Sequence, residues 1–220
     1  MPQGYFITGT DTGVGKTWVA AALMRHLSLH GQTVAGMKPV ASGCFLVNGQ
    51  LQNEDALMLQ KQCSMPLGYQ QINPYAYALA VSPHIAGTDN PVDLGVIKAA
   101  FNALQALVDK VIVEGAGGWY SPLSNTIDNA DLARMLNLPV ILVVAIRLGC
   151  INQARLSLQA IKQSGIGCAG WIATCIDPEL PARQETLDFL AGDLDVPLLG
   201  VMPYVVEQDV NLLAALITLK

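Results

Sequence analysis

Charged residues are scarce in this sequence, and acidic residues outnumber basic ones. They make up 13% of the 220 residues, against 52% for hydrophobic residues, and the formal net charge at pH 7 is −5. So apolar a composition excludes a disordered chain, and the length suffices for a well-buried core in one domain. Because the acidic balance argues against a broad basic surface, we expect the protein to bind neither nucleic acid nor anionic membranes.

Cysteine pairs of the C-x-x-C kind and long apolar runs are also absent. Five cysteines lie scattered at positions 44, 63, 150, 168 and 175, which is usual for reduced thiols in the cytoplasm. The opening MPQGYFITG has no basic stretch ahead of an apolar one, so we expect no signal peptide. The longest strongly apolar run, PVILVVAI, is far too short to span a membrane. These features predict a cytoplasmic protein.

Apolar, β-branched runs alternate with segments of helical period along the chain. The predicted strands lie near Tyr5–Thr8, Thr33–Met37, Val111–Glu114, Val140–Ile146, Ala169–Ile176 and Leu198–Met202. The predicted helices lie near Lys16–His30, Glu54–Gln62, Leu94–Val108, Asn129–Leu136, Ile151–Ser164 and Ala182–Leu190. Strands that are apolar on both faces are typical of a buried parallel sheet, so the alternation predicts one doubly wound α/β domain over residues 1–220. The least regular segment, 43–91, is predicted to form long loops around a site.

The stretch GTDTGVGKT, residues 9–17, follows the first predicted strand and opens the first predicted helix. It nearly matches a phosphate-binding loop, in which a glycine and four residues precede Gly-Lys-Ser/Thr, but Gly9 comes one residue early. Free N–H groups and the positive dipole end of a helix favour phosphate here. Lys16 can then reach the β and γ phosphates, and the Thr17 hydroxyl can hold Mg²⁺. The alternative is an ordinary turn between a strand and a helix.

Five further motifs follow this loop along the chain. They are GMKPVASG (36–43), NEDALMLQ (53–60), NPYAYALAVSPH (73–84), VIVEGAGGWYSPL (111–123) and PVILVVAIRLGCIN (139–152). In this order and spacing the six motifs resemble the dethiobiotin synthetase family over nearly the whole chain, and the lengthened loop is itself typical of that family. The resemblance implies a P-loop NTPase-like, three-layer α/β/α fold. It also implies the ATP- and Mg²⁺-dependent carboxylation and ring closure of 7,8-diaminononanoate with CO₂. The products are dethiobiotin, ADP and phosphate, formed through a carbamate and a carbamic-phosphoric anhydride.

The resemblance also implies an ATP site. Its residues are Gly13, Val14, Gly15, Lys16, Thr17, Trp18, Asp55, Glu114, Gly115, Ala116, Gly117, Thr174, Cys175, Pro203, Tyr204 and Val205. Thr174-Cys175 departs from the Asn-Asp that is frequent in the family. Because a hydroxyl offers fewer donors and acceptors than an amide, this departure predicts weaker selection of adenine. A further carboxylate beside the base is expected from Glu207 or Asp209.

Three residues are implied as magnesium ligands, namely Thr17, Asp55 and Glu114. A carboxylate at the predicted end of an apolar strand, followed by glycines, suits a cation that is shared with phosphates. A capping glutamate is the alternative for Glu114. A helix cap or a dipole-neutralising role would explain Asp55 equally well. Its neighbour Glu54 stays open as a ligand.

The resemblance assigns catalysis to Lys16 and Lys38, with Lys38 positioning the carbamate and steadying phosphoryl transfer. From the residues alone, Lys38 reads as a surface lysine at a strand end. The implied substrate-binding residues are Thr12, Lys38, Ser42, Gly149, Cys150 and Asn152. The last three open a predicted helix whose N–H groups suit a carboxylate, and a simple cap is the alternative. In the family this stretch reaches the substrate of the other subunit, so we expect a homodimer with the site at its interface. Arg147 is a further candidate for charge near that carboxylate.

Two other protein classes share a phosphate loop. ParA/MinD-like ATPases carry a second lysine at the start of the loop, where this chain has Gly9-Thr10-Asp11. The guanine-reading Asn-Lys-x-Asp of GTP-binding modules is absent from the sequence. His26 and His30, four residues apart on a predicted helix, are interpreted as exposed polar positions rather than metal ligands. His84 receives no role.

Overall fold

Parallel strands form the central sheet of the computed structural model, which describes residues 3–204 and 209–219. The strands are β1 (Gly4–Gly9), β2 (Val34–Met37), β3 (Val40–Ala41), β4 (Phe45–Val47), β5 (Gln50–Gln52), β6 (Tyr75–Ala76), β7 (Lys110–Gly118), β8 (Val140–Ala145), β9 (Cys168–Thr174) and β10 (Leu198–Met202). The helices are α1 (Lys16–Leu29), α2 (Glu54–Lys61), α3 (Tyr69–Ile72), α4 (Pro83–Ala86), α5 (Leu94–Gln105), α6 (Asn129–Leu136), α7 (Cys150–Gln163), α8 (Arg183–Asp193) and α9 (Val210–Ala214). None of these described helices combines the length and the apolar character needed to cross a membrane.

The main sheet of the described chain has six parallel strands in the order β10-β9-β8-β1-β7-β2. Helices cover both of its faces. Since successive strand residues point to opposite sides, neighbouring residues of one strand pack against different helices. Phe6 belongs to the apolar cluster that includes residues of α5, α6, α7 and α8, whereas Ile7 belongs to the cluster with α1, α2 and α9. Both side chains are fully buried. The predicted doubly wound, three-layer α/β/α fold is confirmed.

The strand order reverses around β1, which lies between β7 and β8. From β1 the chain crosses to β2, returns to β7 and then continues to β8 on the other side of β1. In open α/β sheets, ligands bind beyond the carboxyl ends of strands at such a reversal. We therefore expect a ligand to bind among the segments that follow β1, β2, β7, β8 and β9.

All twelve predicted strands and helices are present, and their ends differ from the predicted ones by at most four residues. The largest difference is in β7, which continues to Gly118 instead of ending at Glu114. Beyond a register irregularity after Ile7, Gly9 pairs with Gly118, so the ladder extends through residues that have no side-chain pattern. The prediction that Glu114 ends its strand is therefore wrong, since this residue lies within β7.

The segment 43–91 is more ordered than the predicted long loops. Strands β4 and β5 form an antiparallel hairpin, and β3 pairs with β6 in a second small sheet. Asn48 and Gly49 connect the hairpin with φ angles of 50° and 81°. An Asn-Gly pair is a strong hairpin signal because both of its residues tolerate positive φ. At this place the prediction of a loop was wrong.

Candidate functional site

The phosphate loop joins β1 to α1 at the carboxyl end of the central strand. Gly13 and Gly15 have φ angles of 72° and 87°, a region that glycine adopts without strain. Helix α1 begins at Lys16, as predicted, and Gly15 gives it no side-chain cap. Because the first N–H groups of a helix lack partners within the helix, this uncapped end can receive an anion.

Gly9 is needed where it stands, although it comes one residue earlier than the usual pattern. A Cβ atom at this position would lie 2.5 Å from Cγ2 of Val14 and 3.0 Å from the carbonyl oxygen of Asp11. The loop thus folds back over the end of β1 and leaves no space for a side chain. The extra residue lengthens the loop without changing the Gly-Val-Gly-Lys-Thr end.

Lys16 is buried beneath the loop, and its Nζ atom donates to the carbonyl oxygen of Asp11 at 2.9 Å. Burial, helped by the nearby Lys38 charge, lowers the pKa of Lys16 from 10.5 to about 8. Burial makes the charged form of Lys16 unfavourable, and a negatively charged ligand would stabilise that charge. This arrangement favours an anion within reach of the Lys16 ammonium.

Lys38, Asp55 and Glu114 form an ion cluster next to Thr17, in which Lys38 and Glu114 are buried and Asp55 is partly exposed. The Lys38 Nζ atom lies 2.6 Å from Oε1 of Glu114 and 2.9 Å from Oδ2 of Asp55. The Thr17 hydroxyl donates to the same Glu114 oxygen at 2.9 Å. Lys38 is only 5% exposed and Glu114 only 1%, so the reading of Lys38 as a surface lysine is wrong. The three residues lie far apart in the sequence, and the sheet edge brings them together.

The charges of this cluster stabilise one another. Burial alone would lower the pKa of Lys38, but the carboxylates of Glu114 and Asp55 outweigh burial and raise that pKa above 10.5. Burial opposes ionisation of Asp55, yet the Lys38 ammonium holds the pKa of that carboxyl below 3.8. Lys38 is therefore a cation, and Asp55 an anion, throughout the neutral pH range.

The cluster has the oxygen donors that a magnesium ion prefers. Within the described residues, Oε2 of Glu114 is buried and has no hydrogen-bond partner. A buried carboxylate oxygen without a partner is costly unless a ligand satisfies it. Thr17, Asp55 and Glu114 line one and the same cavity, and the Thr17 hydroxyl contacts the Glu114 carboxylate. These residues fit a divalent cation.

Three buried or half-buried asparagines hold the cluster in place, and no motif in the sequence predicts their roles. Asn53 caps α2 by accepting from the N–H groups of Asp55 and Ala56, so Asp55 stands in the first turn and is not itself the cap. Asn73 donates to the carbonyl oxygen of Lys38 at 2.7 Å. Asn129 donates to the carbonyl oxygens of Ala116 and Gly118, at 2.7 and 2.8 Å, and so fixes the glycine-rich end of β7.

Three neighbouring cavities follow one another along the carboxyl edge of the sheet. The middle one, of about 500 Å³, is lined by the phosphate loop, Lys16, Thr17, Asp55 and Glu114. The second, of about 470 Å³, shares Thr12, Lys38, Asp55 and Gly117 with the middle cavity. The third, of about 160 Å³, shares Gly15 and Trp18 with the middle cavity. Lys38 thus lies at the boundary between the middle cavity and the second cavity.

The second cavity has polar groups on its far wall. Ser42 lines it, and its buried hydroxyl has no partner within the described residues. Ser82 also lines it and shares a hydrogen bond of 2.9 Å with Nδ1 of His84. The half-buried His84, to which the sequence motifs assign no role, therefore orients a serine of the wall.

The third cavity is mainly apolar. Trp18, Thr174, Cys175, Pro203 and Tyr204 line it, together with Ile176, Met202, Leu213 and Gly15. The predicted contributors Val205 and Glu207 lie outside the described residues. Asp209, the alternative to Glu207, caps α9 by accepting from the N–H of Asn211 at 2.8 Å.

Some predicted site residues lie away from these cavities. Gly149 is the N-cap of α7, Cys150 is its first residue, and Asn152 is exposed two residues further on; none of them lines the cavities described above. The Arg147 side chain forms an ion pair with Asp11 of the phosphate loop at 2.8 Å. Its charge is thus directed to that loop. His26 is half-buried rather than exposed, and its Nδ1 contacts the carbonyl oxygen of Ala214 at 3.1 Å.

The sequence has close curated relatives. A family model described as an AAA domain matches residues 3–209. The ATP-dependent dethiobiotin synthetase BioD of Xylella fastidiosa (strain 9a5c) is 47% identical over 205 residues, which cover 92% of this chain and 91% of that protein. The protein of the same name from Aromatoleum aromaticum is 46% identical, over 97% of this chain and 96% of its own length. That from Xanthomonas oryzae pv. oryzae (strain PXO99A) is 46% identical over 93% and 92%.

Solved structures of more distant proteins share the fold. The signal recognition particle receptor FtsY from Elizabethkingia anophelis, in complex with GDP, has a TM-score of 0.58 at 15% identity, and the match covers 100% of this chain but 60% of that one. The cell division protein FtsY from Thermotoga maritima has a TM-score of 0.53 at 14% identity, covering 98% and 68%. At such identities the likeness shows a shared fold alone.

Proposed function

This chain belongs to the dethiobiotin synthetase family of ATP-dependent ligases that form C–N bonds, and we propose that it closes a cyclic urea on 7,8-diaminononanoate with CO₂. Residues 1–220 act as one domain in the cytoplasm. The five free cysteine thiols support a reducing compartment. The rival interpretations as a ParA/MinD-like switch or a GTP-binding module give way to the family assignment.

One observation carries the assignment of the site: Lys38 lies between the cavity of the phosphate loop and the cavity of Ser42. We place the triphosphate in the first and the diamine in the second. The γ-phosphate and the acceptor then meet beside a buried ammonium. Positioning two reactants and neutralising charge are the main contributions that a protein makes to phosphoryl transfer.

The reaction takes three balanced steps. One amine of the substrate adds to CO₂ and loses a proton, which gives a carbamate. A carbamate oxygen attacks the γ-phosphorus of ATP, ADP leaves, and a carbamic-phosphoric anhydride forms. The second amine attacks the carbonyl carbon, phosphate leaves with the bonding electron pair, and loss of a proton completes the ring. Lys16 and Lys38 neutralise the charge that develops on the transferred group.

Magnesium would be held by Thr17, Asp55 and Glu114. When bound, it shields the phosphate oxygens and withdraws charge from the transferred group. The unpartnered oxygen of Glu114 supports this assignment. Lys38 contacts two of the same carboxylates, so its ammonium is already placed at the edge of the metal site.

A product assay tests the proposed function. Purified protein with ATP, Mg²⁺, bicarbonate and 7,8-diaminononanoate should release phosphate and form dethiobiotin, detected by mass, in equal amounts. Omission of any one component, or chelation of the metal, should abolish both products. Phosphate release that does not depend on the diamine, or a reaction without dethiobiotin, would contradict the proposal.

We further propose a homodimer in which α7 of one subunit contacts the substrate carboxylate of the other. Leu148, two residues before that helix begins, is 96% exposed, and Leu156 within the helix is also exposed. Such apolar side chains are usual at an interface between subunits. Sedimentation velocity should show a dimer, which Leu148→Asp should weaken. A monomer that retains full activity would rule out a shared site.

A further inference from the structure

We propose that Thr174 positions the phosphate loop and does not read the nucleotide base. This inference rests on the proposed function, since it takes the loop as the triphosphate site. Thr174 is the last residue of β9, is only 5% exposed, and lines both the wall of the third cavity and the back of the loop. It stands where the resemblance led us to expect a residue that contacts the base.

The direction of the Thr174 hydroxyl follows from its partners. Its oxygen lies 2.7 Å from the carbonyl oxygen of Val14 and 3.4 Å from that of Val144. A carbonyl can only accept, so the single hydroxyl hydrogen must come from Thr174. The distances place that hydrogen on Val14, in the middle of the phosphate loop. It cannot be donated to a base at the same time, and only the lone pairs of a side chain that is 5% exposed remain.

A second contact joins Thr174 to the loop. A Cβ atom at Gly15 would lie 3.2 Å from Cγ2 of Thr174, so the methyl group packs directly against the glycine that precedes α1. The hydroxyl and the methyl group therefore hold two successive loop residues. The backbone of Thr174 is fixed in turn, because its carbonyl oxygen accepts from the N–H of Ile146 at 2.8 Å.

The two roles predict different patterns of binding. A residue that reads the base affects nucleotides according to their base and leaves inorganic tripolyphosphate unaffected. A residue that holds the loop affects every ligand with a triphosphate by the same factor. One buried hydrogen bond is typically worth about a fivefold change in a binding constant.

The experiment compares wild type with Thr174→Val, which keeps the methyl packing but removes the hydroxyl, and with Thr174→Ser, which restores a hydroxyl. Isothermal titration with Mg²⁺ measures ATP, GTP and tripolyphosphate. We expect Thr174→Val to weaken all three by the same factor, about fivefold, and Thr174→Ser to bind within about twofold of wild type. Hydrogen exchange of the peptide that contains residues 9–17 should become faster in Thr174→Val alone. If the valine variant does not fold, Thr174→Ala serves the same comparison.

Thr186→Val is the matched control, because Thr186 of α8 also donates to a backbone carbonyl, that of Ala182, but in an exposed hydrogen bond. It should change none of the affinities. A loss for ATP that tripolyphosphate does not share, or no loss for any ligand, would overturn the inference. A Lys16→Met arm separates the two hypotheses: if that variant keeps its tripolyphosphate affinity, the proposed phosphate site itself is wrong, whatever Thr174 does.

Discussion

Lys38→Met should lower the turnover number by about a thousandfold while it leaves the affinity for ATP within about threefold of wild type. The methionine fills the same space but removes the ammonium at the boundary of the two cavities. Binding of the triphosphate relies on the loop, whereas transfer relies on the charge beside the acceptor. Steady-state kinetics and titration of the inactive complex measure the two effects separately. The exposed Lys61→Met serves as control.

The same variant should be less stable without nucleotide, because it leaves the buried Glu114 carboxylate without its cation. We expect a loss of about 3 kcal/mol in the free energy of unfolding, measured with urea. The pKa of Asp55 is lowered from 3.8 and that of Lys38 is raised from 10.5. The stability difference from wild type should therefore persist between these values, then shrink as Asp55 is protonated or Lys38 is deprotonated. Near-normal turnover would remove Lys38 from the mechanism.

Lys16→Met should weaken binding of ATP by about a hundredfold and abolish turnover, because it removes the charge that faces the triphosphate. Its effect on stability has the opposite sign. The pKa of Lys16 is lowered to about 8 in the folded chain, so the unfolded chain binds this proton more tightly and wild type gains stability as the pH rises from 8 towards 10.5.

Below pH 8, removal of this buried charge should therefore stabilise the nucleotide-free protein, by up to about 3 kcal/mol. Urea unfolding at pH 7 and at pH 10, with wild type beside the variant, measures the difference and cancels the contribution of other groups. Lys61→Met again provides the control. An ATP affinity equal to that of wild type would show that the triphosphate binds elsewhere.

Periodicity made the sheet and several helices predictable, since strands such as β8 are apolar on both faces and helices such as α5 and α7 have a marked apolar stripe. Two kinds of feature escaped it. Gly115–Gly118 extend β7 without any side-chain pattern, and short elements such as β3 and β6 exist only because they pair with each other. Their stability comes from tertiary contacts, and the local sequence does not record these.

The candidate site divides in the same way. The phosphate loop is a local motif, so its position was predictable from nine consecutive residues. Whether Lys38 meets Glu114 depends on the pairing of β2 with β7, which residue types alone do not specify. Asn129 and Arg147 belong to no recognisable motif. Asn129 is distinguished from a surface residue only by its burial and its hydrogen bonds, and Arg147 only by its ion pair with Asp11.

The hydrogen bond between Val14 and Thr174 joins residues that are 160 positions apart. Glu114, which completes the ion cluster with Lys38 and Asp55, lies between these two positions in the sequence. Amino-terminal fragments therefore carry the recognisable motif without its full support. During translation, β9 must emerge from the ribosome before Thr174 can support the phosphate loop. A product terminated before β9 would therefore contain the phosphate-loop motif but lack the contacts that hold the loop in its binding conformation.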